Sequence, residues 1–172
     1  MNTVAELEYW LRGPVEGVPP LLQPVAHALL QSLQEVTQAV EGLPPEQLWS
    51  RPGGVASVGF HLRHLPGMLE RLFAYARGEA LSEDQLRRLA EEGEPAEAAT
   101  AGQLVAAYRQ QVEQCLAQLR TTRESELTDP RYVGRKRLPS NVLGLLFHGA
   151  EHAQRHTGQL IVTGRVLATP DA

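Results

Sequence analysis

The stretch LLFHGAEHAQRHTGQL, residues 145–160, decides how the rest of the chain is read. Its apolar residues return at helical spacing, and three histidines, His148, His152 and His156, repeat every four positions. On a helix, residues four apart differ by about 40° of rotation and ~6 Å of rise, so neighbouring imidazoles can reach one ion. A third ligand must then come from another helix.

Working outward, apolar spacing of three and four residues recurs in four long segments, while alternating β-branched and aromatic runs are almost absent. The spacing predicts an all-α chain, a four-helix bundle with short additional helices. After a short opening helix and the loop RGPVEGVPP, the first long helix is expected over about residues 20–42, with Leu22, Val25, Leu29, Leu33, Val36 and Val40 on its inner stripe. The second should start at Ser57, whose hydroxyl can cap it, and run to about Arg77, bent where Pro66 removes a backbone donor. SEDQLRRLAEEG reads as a short surface helix capped by Ser82, followed by the linker EPAEAATAG.

The third long helix fits residues 100–121, its inner face built from Leu104, Ala107, Tyr108, Val112, Cys115, Leu116 and Leu119. TDPRYVGRKRLPSN reads as an extended loop with solvated basic residues, and the fourth helix runs from about Ser140 to Leu160 or a little beyond. Helices of some twenty residues make a bundle of ~30 Å. At 172 residues the chain is expected to be one domain, 1–172, with residues 1–19 as an N-terminal extension and 20–165 as the bundle core.

Composition narrows the function classes. Hydrophobic residues make up 42% and charged residues 21%, close to the globular average, so a packed core is expected. Sixteen basic against twenty acidic side chains give a net charge of −4, with no Lys/Arg cluster long enough to follow a phosphate backbone. Nucleic acid is a poor partner for such a surface. The N-terminal stretch lacks the basic start and apolar run of a signal peptide, and nowhere do eighteen apolar residues run together, so neither a leader nor a membrane span is expected. Cys115 is the only cysteine, which excludes an internal disulfide and a thiolate-rich zinc site, and the cytoplasm is the expected compartment. On its apolar stripe Cys115 reads as core rather than nucleophile.

Five of the six histidines fall in two helical segments, His61 and His64 in GFHLRHLPGM and then His148, His152 and His156. A single histidine on an apolar helix is usually a satisfied core residue. Two such groups on two apolar helices are another matter, since Leu145, Leu146, Phe147, Leu160 and Ile161 offer no acceptor and a shared cation satisfies the rings together. Geometry alone accepts His148 with His152 or His152 with His156, and either His61 or His64. His27, on the first helix, reads as packing.

SVGFHLRHL and HGAEHAQRHTGQL resemble the two motifs of the DinB/YfiT-like family, four-helix proteins with a three-histidine metal site. In that family a Ser-(Ile/Val)-Gly helix start leads, seven residues later, to a ligand histidine, and the last helix carries His-x-x-x-His followed one residue later by Gly-Gln. Carried onto this chain, the resemblance spans residues 20–165 and selects His64, His152 and His156 as ligands. The family often has arginine before Gly-Gln, where this chain has Thr157. The resemblance also implies a homodimer.

Three neutral nitrogens around a divalent cation leave a coordination position open, as in catalytic zinc sites. Such an ion can activate water, polarise a substrate oxygen or hold a thiolate. The expected function is therefore that of a metal-dependent enzyme acting on a small-molecule substrate: a hydrolase or, as the family resemblance implies, a thiol-dependent transferase or isomerase using a low-molecular-weight thiol. Zinc or nickel suits the imidazole set. His61, His148 and Glu151 are candidate catalytic neighbours, although Glu151 stands four residues before Arg155 and can equally form a surface ion pair. The alternative is a non-catalytic bundle that binds metal or a small molecule as part of a stress response.

HGAEH also satisfies the His-x-x-Glu-His pattern of inverted zinc peptidases. That pattern needs a further acidic ligand downstream, and the only carboxylate side chain after His152 is Asp171. Gly144, Gly149 and Gly158 cost the last helix ~1 kcal/mol each relative to alanine, which suggests close approach of another backbone. Trp10 and Trp49, outside the long helices, are expected to cap the bundle end.

Overall fold

The computed structural model describes residues 7–96 and 98–169. Five α-helices and one β-hairpin follow in the order α1 (Gln23–Ala39), α2 (Val58–Ala76), α3 (Glu83–Glu91), α4 (Ala101–Thr121), β1 (Pro130–Val133), β2 (Leu138–Asn141) and α5 (Val142–Ala168). α1 and α2 each pack against both α4 and α5. The long helices therefore form a four-helix bundle in which α1 lies diagonally across from α2, and α4 from α5.

The helix starts are written in the sequence. The Ser57 hydroxyl accepts the Phe60 amide and begins α2; Asn141 accepts the Gly144 amide and begins α5. Ser82 with Gln85, and Thr100 with Gln103, form reciprocal capping boxes at α3 and α4. Each cap satisfies amide donors that have no partner inside the helix. α2 continues through Pro66 without ending.

The core is a continuous cluster that includes Leu22, Leu29, Val36, Leu62, Leu65, Leu69, Phe73, Tyr108, Leu119, Leu146 and Leu160, each at most 1% exposed. Burying one such aliphatic side chain contributes about 1.5–3 kcal/mol. At the centre, a hydroxyl chain crosses three helices. Thr157 donates to the Ala153 carbonyl at 2.8 Å, so the Ser32 hydroxyl, 2.6 Å away, must donate to Thr157; the Tyr108 hydroxyl, also at 2.6 Å, donates to Ser32. All three side chains are fully buried. The chain ties α4 and α1 to the α5 turn that carries His156.

Some expectations need correction. Residues 130–141, expected as part of an extended loop, form an antiparallel hairpin pairing Pro130 with Asn141 and Val133 with Leu138. Its strands are too short for alternation to show, and Gly134 and Arg137, both at positive φ, turn the tip. The Arg131 guanidinium donates to the Ala76 carbonyl at 2.7 Å, so the hairpin closes the end of α2. On α4 the inner position is Val105 while Ala107 is exposed, and α5 extends to Ala168.

Gly144, Gly149 and Gly158 do not mark backbone approach. A Cβ on Gly149 would meet the Phe73 and Leu69 side chains, one on Gly144 the Asn141 cap, and one on Gly158 nothing within 4 Å. Trp49 does cap, lying against Gly59 in the first turn of α2, whereas Trp10 is 64% exposed. The expected opening helix is, within the described residues, one 3-10 turn at Tyr9–Leu11; its start at residues 1–6, like Asp171, lies outside them. Among the described residues no helix is long and apolar enough to cross a membrane.

Candidate metal centre

On α5 the residues turned inward include Leu146, Gly149, Ala150, Ala153, Thr157 and Leu160; on α2 they include Val58, Leu62, Leu65 and Leu69. His152 and His156 occupy the flank of the first stripe and His64 the flank of the second, half-buried along the seam where α2 and α5 pack. The helical period thus fixes the backbone on the core and leaves these three rings facing one another.

The Nε2 of His152 is 3.2 Å from Nε2 of His64 and 3.1 Å from Nε2 of His156. One nitrogen of each ring lies within 4.8 Å of the other two. Around a tetrahedral zinc with Zn–N of about 2.0–2.1 Å, ligand nitrogens are separated by about 3.3 Å, close to what is seen.

Hydrogen bonding alone does not account for the cluster. Nδ1 of His64 lies 3.0 Å from Oε2 of Glu92, which also takes the Arg71 guanidinium at 3.1 and 3.2 Å. Burial pushes the Glu92 carboxyl up, but His64 and Arg71 outweigh it and hold its pKa below the ordinary value. The ionised carboxylate can only accept, so Nδ1 of His64 carries a proton, and the lone pair of the neutral form is the one on Nε2. His152, with one N–H when neutral, can fully satisfy only one of its two Nε2 contacts. Its Nδ1 is buried with no hydrogen-bond partner. A cation at the junction satisfies the three converging nitrogens together.

Burial first, and the neighbouring rings second, favour the neutral forms of His61, His152 and His156. His61 is 3% exposed, and its Nδ1 lies 2.9 Å from Nδ1 of His156. Burial, with repulsion from His64 whenever that ring is protonated, lowers the His61 pKa to about 4; burial and the surrounding histidines lower that of His156 to about 3. His152 is lowered for the same reasons, burial first. Phe60 stacks on His64 with ring centroids 5.5 Å apart and covers one side of the cluster. A groove of about 650 Å³, lined by Val55, His61, Gly158, Gln159, Val162 and Thr163 among others, reaches the cluster through His61.

The other candidates fall outside the convergence. His148 is exposed, 3.1 Å from Glu151, whose carboxylate also pairs with Arg155 at 2.5 and 2.7 Å. That surface network lowers the Glu151 pKa, chiefly through the Arg155 hydrogen bond. The peptidase pattern would need His148 beside His152 as ligand, a role the cluster gives to His156. His27 bonds the Gly13 carbonyl at 3.0 Å. Cys115 is 1% exposed, and burial pushes its thiol up to about 12, a core residue rather than a nucleophile.

Sequence reasoning missed Glu92 and Arg71. Glu92 sits in an acidic surface segment, and its one distinguishing mark is burial, which the sequence does not display. Arg71 was recoverable, one helical face along from His64.

With this geometry in hand, comparison with known proteins is decisive for the family. The family model described as the DinB superfamily matches residues 28–160. The chain belongs to the DinB superfamily. A crystal structure of a protein from Exiguobacterium sibiricum 255-15, assigned to the DinB family, superposes with a TM-score of 0.69 over 90% of this chain and 97% of that one. At 17% identity the likeness speaks for the DinB fold alone. No curated protein matches the chain. In this DinB-superfamily chain the paired histidines of the last helix meet a histidine of the second long helix, an arrangement compatible with a metal site.

Proposed function

We propose that the chain is a metal-dependent enzyme in which His64, His152 and His156 hold a divalent cation, zinc or nickel. The observation that carries this reading is the convergence of three imidazole nitrogens from two helices, one of them oriented by a buried carboxylate. Bound there, the cation supplies Lewis acidity toward a water, a thiol or a substrate oxygen, and three protein ligands leave it a position for one of these.

The protein's own residues divide the remaining work. His61, buried but lining the groove, accepts the Nδ1 proton of a His156 that coordinates through Nε2, which leaves the His61 Nε2–H to donate to a substrate oxygen beside the cluster. Phe60 excludes water from the His64 side. The groove beyond His61, walled by Val55 and Val162, suits the apolar part of a small substrate. His148 and Glu151, neutralised in a solvated network with Arg155, are less suited to proton transfer. A low-molecular-weight thiol is the co-substrate class for transfer or isomerisation; hydrolysis needs only water. A second copy of the chain is the partner the family resemblance implies.

Turnover assays with zinc or nickel, using thiol adducts of electrophiles and simple esters and amides, test the reading. Metal-dependent turnover that disappears in His152→Ala supports an enzyme. Stoichiometric metal binding without turnover would replace it with a binding module.

A further inference from the structure

Glu92 is out of place as a surface residue. The helix that precedes it, Glu83–Glu91, has no buried residue, yet Glu92 is 8% exposed and its carboxylate and the Arg71 side chain are 10% and 11% exposed. A buried ion pair of this kind contributes little net stability, because desolvation offsets the attraction. Stability therefore does not account for its placement.

Three residues of α2 receive this carboxylate. His64, Gly67 and Arg71 stand at i, i+3 and i+7, one face of the helix. His64 donates to Oε2, Arg71 holds both oxygens, and Gly67 leaves the space: a Cβ there would come within 2.7 Å of Oε1 of Glu92 and 2.9 Å of Nη1 of Arg71. Glycine inside a helix is otherwise unfavourable, and its φ here is ordinary, so room for the carboxylate is its use.

Resting on the metal-centre reading above, we propose that Glu92 is the positioning residue of the centre, clamped by Arg71 over Gly67 so that His64 is protonated on Nδ1 and aims its Nε2 lone pair at the position shared with His152 and His156. The fixed tautomer removes the rotational and protonic choices His64 would otherwise lose on binding an ion. Outer carboxylates in metal sites typically govern affinity by roughly 10–100-fold.

The experiment measures cobalt(II) and zinc affinity by competition with a chromophoric chelator on the full chain, alongside 15N NMR of the histidine side chains. Glu92→Ala should weaken binding roughly 10–100-fold and move the His64 proton from Nδ1 toward Nε2. Gly67→Ala is the sharper variant. Added helix propensity should leave its thermal stability unchanged or higher, while the displaced carboxylate weakens metal binding in the same direction. Arg88→Ala, which removes the exposed α3 link to Glu70, controls for loosening of the segment and should bind as wild type.

Unchanged affinity and an unchanged His64 tautomer in both Glu92→Ala and Gly67→Ala would overturn the assignment. Equal weakening in Arg88→Ala would also overturn it, by showing that only segment docking matters. His152→Ala separates the two levels: wild-type affinity there would remove the metal centre itself, whereas its loss alongside unaltered Glu92→Ala binding would remove only the role of Glu92.

Discussion

Nδ1 of His61 lies 2.9 Å from Nδ1 of His156, so in the neutral pair one ring donates and the other accepts. Protonating the accepting ring puts a second proton into this contact, and protonating either ring places a charge in a largely buried site. Both groups have folded pKa values below their ordinary 6.5, about 4 and about 3. The unfolded chain therefore binds more protons between those values and 6.5. Stability of the metal-free protein should be full above about pH 6.5 and fall as the pH drops through 4 toward 3. Urea unfolding across that range checks it, and His61→Gln should show a shallower decline. A flat profile would contradict the neutral pairing.

The buried hydroxyl chain predicts an asymmetric pair of variants. Tyr108→Phe removes the outermost donor and should cost about 1 kcal/mol, because the Ser32 hydrogen still reaches Thr157. Thr157→Val removes the acceptor of a buried hydroxyl and should cost more, about 1–3 kcal/mol. Denaturant midpoints of the two variants decide the order.

Two glycines should respond in opposite senses. A Cβ on Gly59 would lie 2.7–2.8 Å from the Trp49 ring, so Gly59→Ala should destabilise by about 1–3 kcal/mol as the indole is displaced. Gly158 is exposed with nothing within 4 Å, and Gly158→Ala should stabilise α5 by up to about 1 kcal/mol. Thermal melts of the pair check both signs.

Cys115, buried with its thiol pushed up to about 12, should resist thiol reagents in the native state and react once the chain is unfolded. Native-state labelling at the rate of a free thiol would place the residue outside the core.

The bundle was legible because its helices announce themselves through caps and apolar spacing: Ser57 and Ser82 cap where sequence reasoning puts them, and α4 begins within a residue of the expected position 100. The hairpin at Pro130–Asn141 was not, since four-residue strands give too few positions for alternation to register. At the histidines, spacing alone left His148 against His156 and His61 against His64. The family resemblance named His64, His152 and His156, and the structure brings those three rings together. Glu92 was invisible because an acid in an acidic segment reads as solvated until a fold carries it inward. Thr157, a departure from the family's frequent arginine, turns out to be buried in the hydroxyl chain and so faces away from the seam that holds the histidines.

Metal stoichiometry of the purified chain, measured by elemental analysis for wild type and for His64→Ala, His152→Ala and His156→Ala, tests the central claim most directly. The account predicts about one divalent ion per wild-type chain at neutral pH and loss of that ion in each variant, with His152→Ala, the ring shared by both short contacts, retaining least. Wild-type metal content in His152→Ala, or a wild type that takes up no divalent ion when zinc or nickel is supplied, would contradict it.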